Sequence, residues 1–144
     1  MIVRTKTFLA TMKDEKGQNL IEFALVVPML IILFIGIAEF GRAWMNQNIL
    51  TGAAREAARL AAVPPPYGGL DNATARANQI LDSANIPPPP SRSVTVNIPT
   101  GSYGEVTATV TYLFPVVIAG FVPGLDNATI PLSSTTTMRK EWDI

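Results

Sequence analysis

The chain has 144 residues, enough for one modest domain and an appendage. Eleven basic and eleven acidic residues cancel, so bulk charge recommends neither nucleic acid nor another polyanion as a partner. With no cysteine and no histidine, disulfides, zinc–thiolate sites, histidine metal sites and histidine general bases are all excluded.

The chain opens on a basic leader, residues 1–17, that carries Arg4, Lys6, Lys13 and Lys16. Shortly after it come sixteen residues without a charge, Phe23 to Ala38, "FALVVPMLIILFIGIA". As a helix they span about 24 Å at 1.5 Å per residue, a little less than a hydrocarbon core of about 30 Å. Leu20, Ile21 and Phe40 close the gap, at the cost of enclosing Glu22 and Glu39. A buried helix of a soluble protein is the plainer reading. The run is apolar on every face, however, and the rest of the chain is too small to enclose it, so membrane insertion is expected. Four basic residues precede the run and three follow it (Arg42, Arg55, Arg59), a narrow margin for a cytoplasmic N-terminus. A secretory signal competes with this reading. "GIA" at Gly36–Ala38 offers small residues to a signal peptidase, which would free a soluble domain from Glu39 onward. The length of the leader and the presence of Glu22 beside the apolar run count against it.

The helical pattern continues past the run. "EFGRAWMNQNILTGAAREAARLAAV" has no proline before Pro64 and is rich in alanine, the best helix former. Leu20 to Ala62 reads as one helix about 65 Å long, loosened at Pro28 by one missing backbone hydrogen bond; the segment 18–63 is its domain-level extent. Ala53, Ala57 and Ala61 lie four apart, as do Ala54, Ala58 and Ala62, forming a broad stripe of small side chains. Such a stripe permits close approach, either of the protein's own sheet or of a neighbouring helix. Arg42 follows Glu39 by three residues and Arg59 follows Glu56 by three, spacings that suit surface ion pairs better than catalysis. Arg55, Glu56 and Arg59 lie largely off the stripe.

Residues 64–144 form a small exported domain. "PPPYGG" ends the stalk as a breaker and linker. Asp71 is a plausible N-cap for a short helix, "NATARANQILDSA". After the polyproline-like connector "IPPPPSR", valine and threonine alternate at period two in Ser93–Ile98 and Glu105–Phe114, which predicts an antiparallel hairpin. Thr129–Met138 extends it to three strands, giving an α+β fold. The apolar "PVVIAGFVPG" either folds under the sheet, the preferred reading, or is an exposed patch for a partner or a membrane. "GLDNAT" occurs at Gly69 and again at Gly124. Each copy holds a glycosylation sequon, at Asn72 and Asn127, but turn and cap use accounts for these residues more simply.

No reaction centre is legible. There is no nucleophile-elbow serine and no phosphate-binding glycine loop, and Asp71, Asp82, Glu105 and Asp126 lack calcium-loop spacing. No catalytic residue, metal, cofactor, nucleic acid or small-molecule substrate is expected.

Lys16–Gly17 followed by Glu22 resembles the class III signal of type IV pilins and pseudopilins. The ordered segments "GQNLIEFALVVP", "AEFGRAW" and "LTGAAREAAR" are similar to those of the TadE-like family, the pseudopilins or minor pilins of the tight-adherence (Tad/Flp) pilus. The matching positions include Gly17, Gln18, Glu22, Phe23, Pro28, Glu39, Ala53, Ala54, Arg55, Ala58 and Arg59, with Ala57 where many members have glycine. The resemblance implies a short leader cut by a prepilin peptidase between Gly17 and Gln18, a stalk in the bacterial inner membrane, and an exported C-terminal domain that reaches the cell-surface pilus. It implies as partners other pilins, the assembly platform and its ATPase. It also implies that Glu22 pairs with the new N-terminal amine of a neighbouring subunit, and that Phe23 and Pro28 serve subunit assembly. The rival reading is a permanently anchored envelope protein whose exported domain binds a partner and never enters a filament.

Overall fold

The computed structural model describes residues 15–100, 104–121, 124 and 127–140. Arg4, Lys6 and Lys13 of the leader, and Asp126 of the second "GLDNAT", lie outside them. The fold of the described residues is α+β: α1 (Glu15–Ala61), α2 (Leu70–Ser83), strands β1 (Arg92–Asn97), β2 (Glu105–Pro115) and β3 (Thr129–Arg139), and a 3-10 turn at Val117–Phe121. Two compact units meet between Ile35 and Gly36. The second half of the stalk therefore belongs with the domain that follows it.

In the first unit α1 starts at Glu15, five residues before the expected Leu20, and continues through Pro28. Its large apolar side chains are exposed, Leu25, Met29, Leu33 and Phe34 among them. This helix is long and apolar enough to cross a membrane, and none of its most apolar stretch is buried inside the protein. Water would strip such a surface of its favoured surroundings, whereas lipid supplies them.

In the second unit the three strands form one antiparallel sheet in the order β1-β2-β3. Val94 faces Val110, which in turn faces Ser134, and Tyr112 lies between Arg92 and Leu132. Alternation decides the faces. Val106, Ala108, Val110, Tyr112 and Phe114 are all buried, while the residues between them are not. The outer face is a carpet of hydroxyls, with Thr109 Oγ1 3.0 Å from Thr135 Oγ1 and Thr111 Oγ1 3.4 Å from Ser133 Oγ. On the inner side the sheet meets Leu50, Ala53, Ala54, Ala57, Ala58 and Ala61 of α1, and Ala73, Ala77 and Leu81 of α2, in one core.

The linker after α1 is tight. A Cβ at Gly68 would fall on the carbonyl oxygens of Leu60 and Val63, and Gly69, at φ 92°, donates its N–H to Leu60 O at 3.0 Å. Gly69 is also the N-cap of α2, with no side-chain cap hydrogen bond. Asp71 is therefore not the cap; it sits inside the first turn, where a carboxylate suits the helix dipole. Replacing Gly68 by alanine is expected to lower stability by about 1–3 kcal/mol. At Gly52, where an added Cβ meets nothing within 4 Å, the same change should raise it by about 0.5–1 kcal/mol. Urea unfolding of both variants in detergent, followed by circular dichroism, checks the opposite signs.

Arg92 is the one inward residue of β1 that carries a charge. Its guanidinium donates to Asp82 Oδ1 at 2.6 Å and to Ile86 O at 2.7 Å, tying β1 to the end of α2, while its Nε has no partner.

Candidate assembly and processing segment

Gly17 and Gln18 lie in the first turn of α1. Glu22 follows one turn later, exposed, and its carboxylate has no hydrogen-bond or ion-pair partner among the described residues. Phe23 and Pro28 are exposed on the same helix. An acid at the entrance to a charge-free run is costly in lipid unless something pairs with it.

Further along, the structure places the remaining expected positions in the second unit. Glu39 accepts from Arg42 Nη1 at 2.8 Å. Arg42 also stands over the Phe114 ring, 5.1 Å from its centroid. Glu56 takes a forked pair from Arg59, Nε to Oε2 at 2.9 Å and Nη2 to Oε1 at 2.8 Å, with Arg76 Nε 3.7 Å away. Arg55 is exposed on the polar side. Ala53, Ala54, Ala57 and Ala58 are completely buried by the protein's own sheet and α2. Of the two uses open to the alanine stripe, the intramolecular one fills it, which leaves these four side chains no free surface for a neighbouring helix.

The Arg59 hydrogen bonds, reinforced by the Arg59 and Arg76 charges, hold the Glu56 carboxyl below its ordinary value against a smaller opposing effect of burial. A depressed carboxylate stabilises the fold above the unfolded-state pKa and loses that contribution as pH falls through the folded one. Glu56→Gln should therefore flatten the acid limb of the stability–pH curve below about pH 4.3. Above it, the loss is no more than about 1 kcal/mol for so exposed a pair. Thermal melts from pH 3 to 7 check both.

Asn72 uses its amide within the fold, donating to Pro66 O at 2.8 Å and Gly68 O at 3.0 Å. Asn127 sits at φ 67°, and the paired glycines Gly69 and Gly124 at φ 92° and 89°. In the first copy Gly69 thus caps α2, and in the second the described Gly124 and Asn127 both take the left-handed backbone that turns use.

Sequence reasoning missed the contacts that fasten α1 to β3. Gln47 Nε2 donates to Ser133 O at 2.8 Å, and Ser134 Oγ lies 3.1 Å from Thr51 Oγ1. Polar residues at mid-helix gave no local signal of these partners more than eighty positions away.

Residues 17–59 match the family model described as TadE-like protein. The match opens at Gly17 and closes at Arg59, and so covers the charge-free run, the ion pairs and most of the alanine stripe. No curated protein and no solved structure matches.

Proposed function

We propose, from the premise that residues 17–59 of this chain are TadE-like, that the protein is a minor pilin or pseudopilin with a structural rather than catalytic role in a Tad-type pilus. A prepilin peptidase removes residues 1–17. The mature chain then waits in the bacterial inner membrane, exported domain outward, until the assembly platform and its ATPase draw it into contact with other pilins. One observation carries the reading: Glu22 stands without a partner among the described residues at the head of an apolar helix, five positions after a lysine–glycine pair. Cleavage at that glycine frees an α-amine, which when protonated is a cation and donor, and Glu22 is the first carboxylate after it in the mature chain. With a pKa near 7.7–8.0 the amine is largely protonated at neutral pH, so a Glu22 carboxylate and a neighbour's amine attract strongly in a low-dielectric setting. Extraction itself is costly, because each large apolar side chain leaving lipid loses about 1.5–3 kcal/mol. Packing of one stalk on another restores most of it.

The test is the start of the protein recovered from cells, read by intact mass. Gln18 supports the proposal. Glu39 would mean a secreted domain, and Met1 a fixed envelope anchor.

A further inference from the structure

Contacts in chain order show which end of the sheet lies where along α1. Arg42 stacks on Phe114, near the end of β2; Gln47 meets Ser133; Thr51 meets Ser134; and Arg59 lines one surface groove with Met138 and Arg139. β3 therefore runs beside α1 in the same direction. The segment joining β2 to β3 lies at the Arg42 end, four residues past Ala38, where the charge-free run of α1 stops.

Among the described residues, that end of the sheet is apolar and exposed. From Tyr112 to Pro131 the sequence holds one charged residue, Asp126. Ala119 is tucked in, but Leu113 is 42 % exposed, Val117 53 % and Ile130 50 %, and the register puts Leu113 opposite Pro131 and Phe114 opposite Ile130. On α1, Phe40 and Trp44 flank Arg42 with their rings 6.2 Å apart, both largely exposed. Aromatic rings just beyond an apolar span are what a membrane–water interface accommodates.

We propose that this end of the domain, Leu113, Val117 and Ile130 together with Phe40 and Trp44, rests on the phospholipid surface of the membrane that α1 crosses. The inference rests on α1 being a membrane span. Lipid is the occupant because Phe40 and Trp44 follow the last charge-free residue, Ala38, within six positions on the same helix, and the apolar end of the sheet lies beside Arg42 between them. Apolar side chains there sink about 5–10 Å to the boundary between headgroups and acyl chains. The domain is thereby held against the membrane before assembly, and leaving for a fibre means undocking the rim as well as withdrawing the helix.

The absence of cysteine makes single-cysteine labelling clean. The full chain, reconstituted in phosphatidylethanolamine–phosphatidylglycerol nanodiscs containing doxyl-labelled lipid, is compared as Val117→Cys, Ile130→Cys, Asn97→Cys at the far end of the sheet, and Leu30→Cys inside the span. Each carries an environment-sensitive fluorophore. Lipid quenching severalfold stronger at positions 117 and 130 than at 97, with position 30 also quenched, is the expected result. Quenching at 30 with 117 and 130 no different from 97 overturns the docking and leaves the anchor intact. No quenching at 30 removes the anchor and the docking with it. Labels at 117 and 130 shielded from iodide but untouched by lipid quencher assign the rim to a protein partner, and that too overturns the proposal.

Discussion

Glu22→Gln is expected to lower the chain's occupancy in pili by about two to three and a half orders of magnitude while leaving its amount in the membrane unchanged. The glutamine keeps size and helix propensity and removes the charge that the proposed pairing needs. An amine brought into the stalk bundle without its carboxylate is an uncompensated buried charge, which costs about 3–5 kcal/mol, at 1.4 kcal/mol per factor of ten. Membrane insertion depends on the run from Phe23 to Ala38 and gains slightly when an acid at its edge is neutralised. Immunoblots of sheared pili and of membranes measure the two pools separately. Equal incorporation of variant and parent chains would remove the assigned role of Glu22.

Phe114→Ala is expected to destabilise the second unit by about 3–5 kcal/mol. Phe114 is among the largest fully buried side chains, and its loss empties the space between Tyr112, 6.3 Å away ring to ring, and Arg42 above it. Domains of this size hold only about 5–15 kcal/mol in total, so much of the margin goes with one residue. The effect should be confined to the second unit. Urea unfolding in detergent should show the β-sheet signal lost at lower denaturant while helical signal from the apolar part of α1 persists. A midpoint unchanged from the parent would mean that the sheet end is not packed as described.

Much of this architecture was legible because its causes are local. The valine–threonine alternation of β2 encodes burial on one face only, and the strand appears over Glu105–Pro115, one residue longer than expected. The apolar run announces α1 by composition. Three features depend on tertiary contacts and escaped. The N-cap of α2 falls on Gly69, whose N–H bonds Leu60 O, after a Gly68 that must clear the carbonyls of Leu60 and Val63, contacts with the end of α1 that residues 70–74 do not announce. The alanine stripe identified a close-packing face without saying what packs there. For "PVVIAGFVPG" the preferred reading is folding under the sheet, and among its described residues it holds for Ala119, which is buried, but not for Val117, which is exposed. In the processing segment the residues themselves were readable, since glycine, glutamate and apolar run are a linear pattern. The partner proposed for Glu22 is an amine of another molecule, which a single chain does not display.

Zero-length carbodiimide cross-linking of sheared pili, followed by peptide mass spectrometry, tests the pairing most directly. The account predicts a peptide in which the Glu22 side chain is joined to the N-terminal amine of a neighbouring subunit. Fibres that lack the chain altogether, with the cellular protein still beginning at Met1, would contradict it.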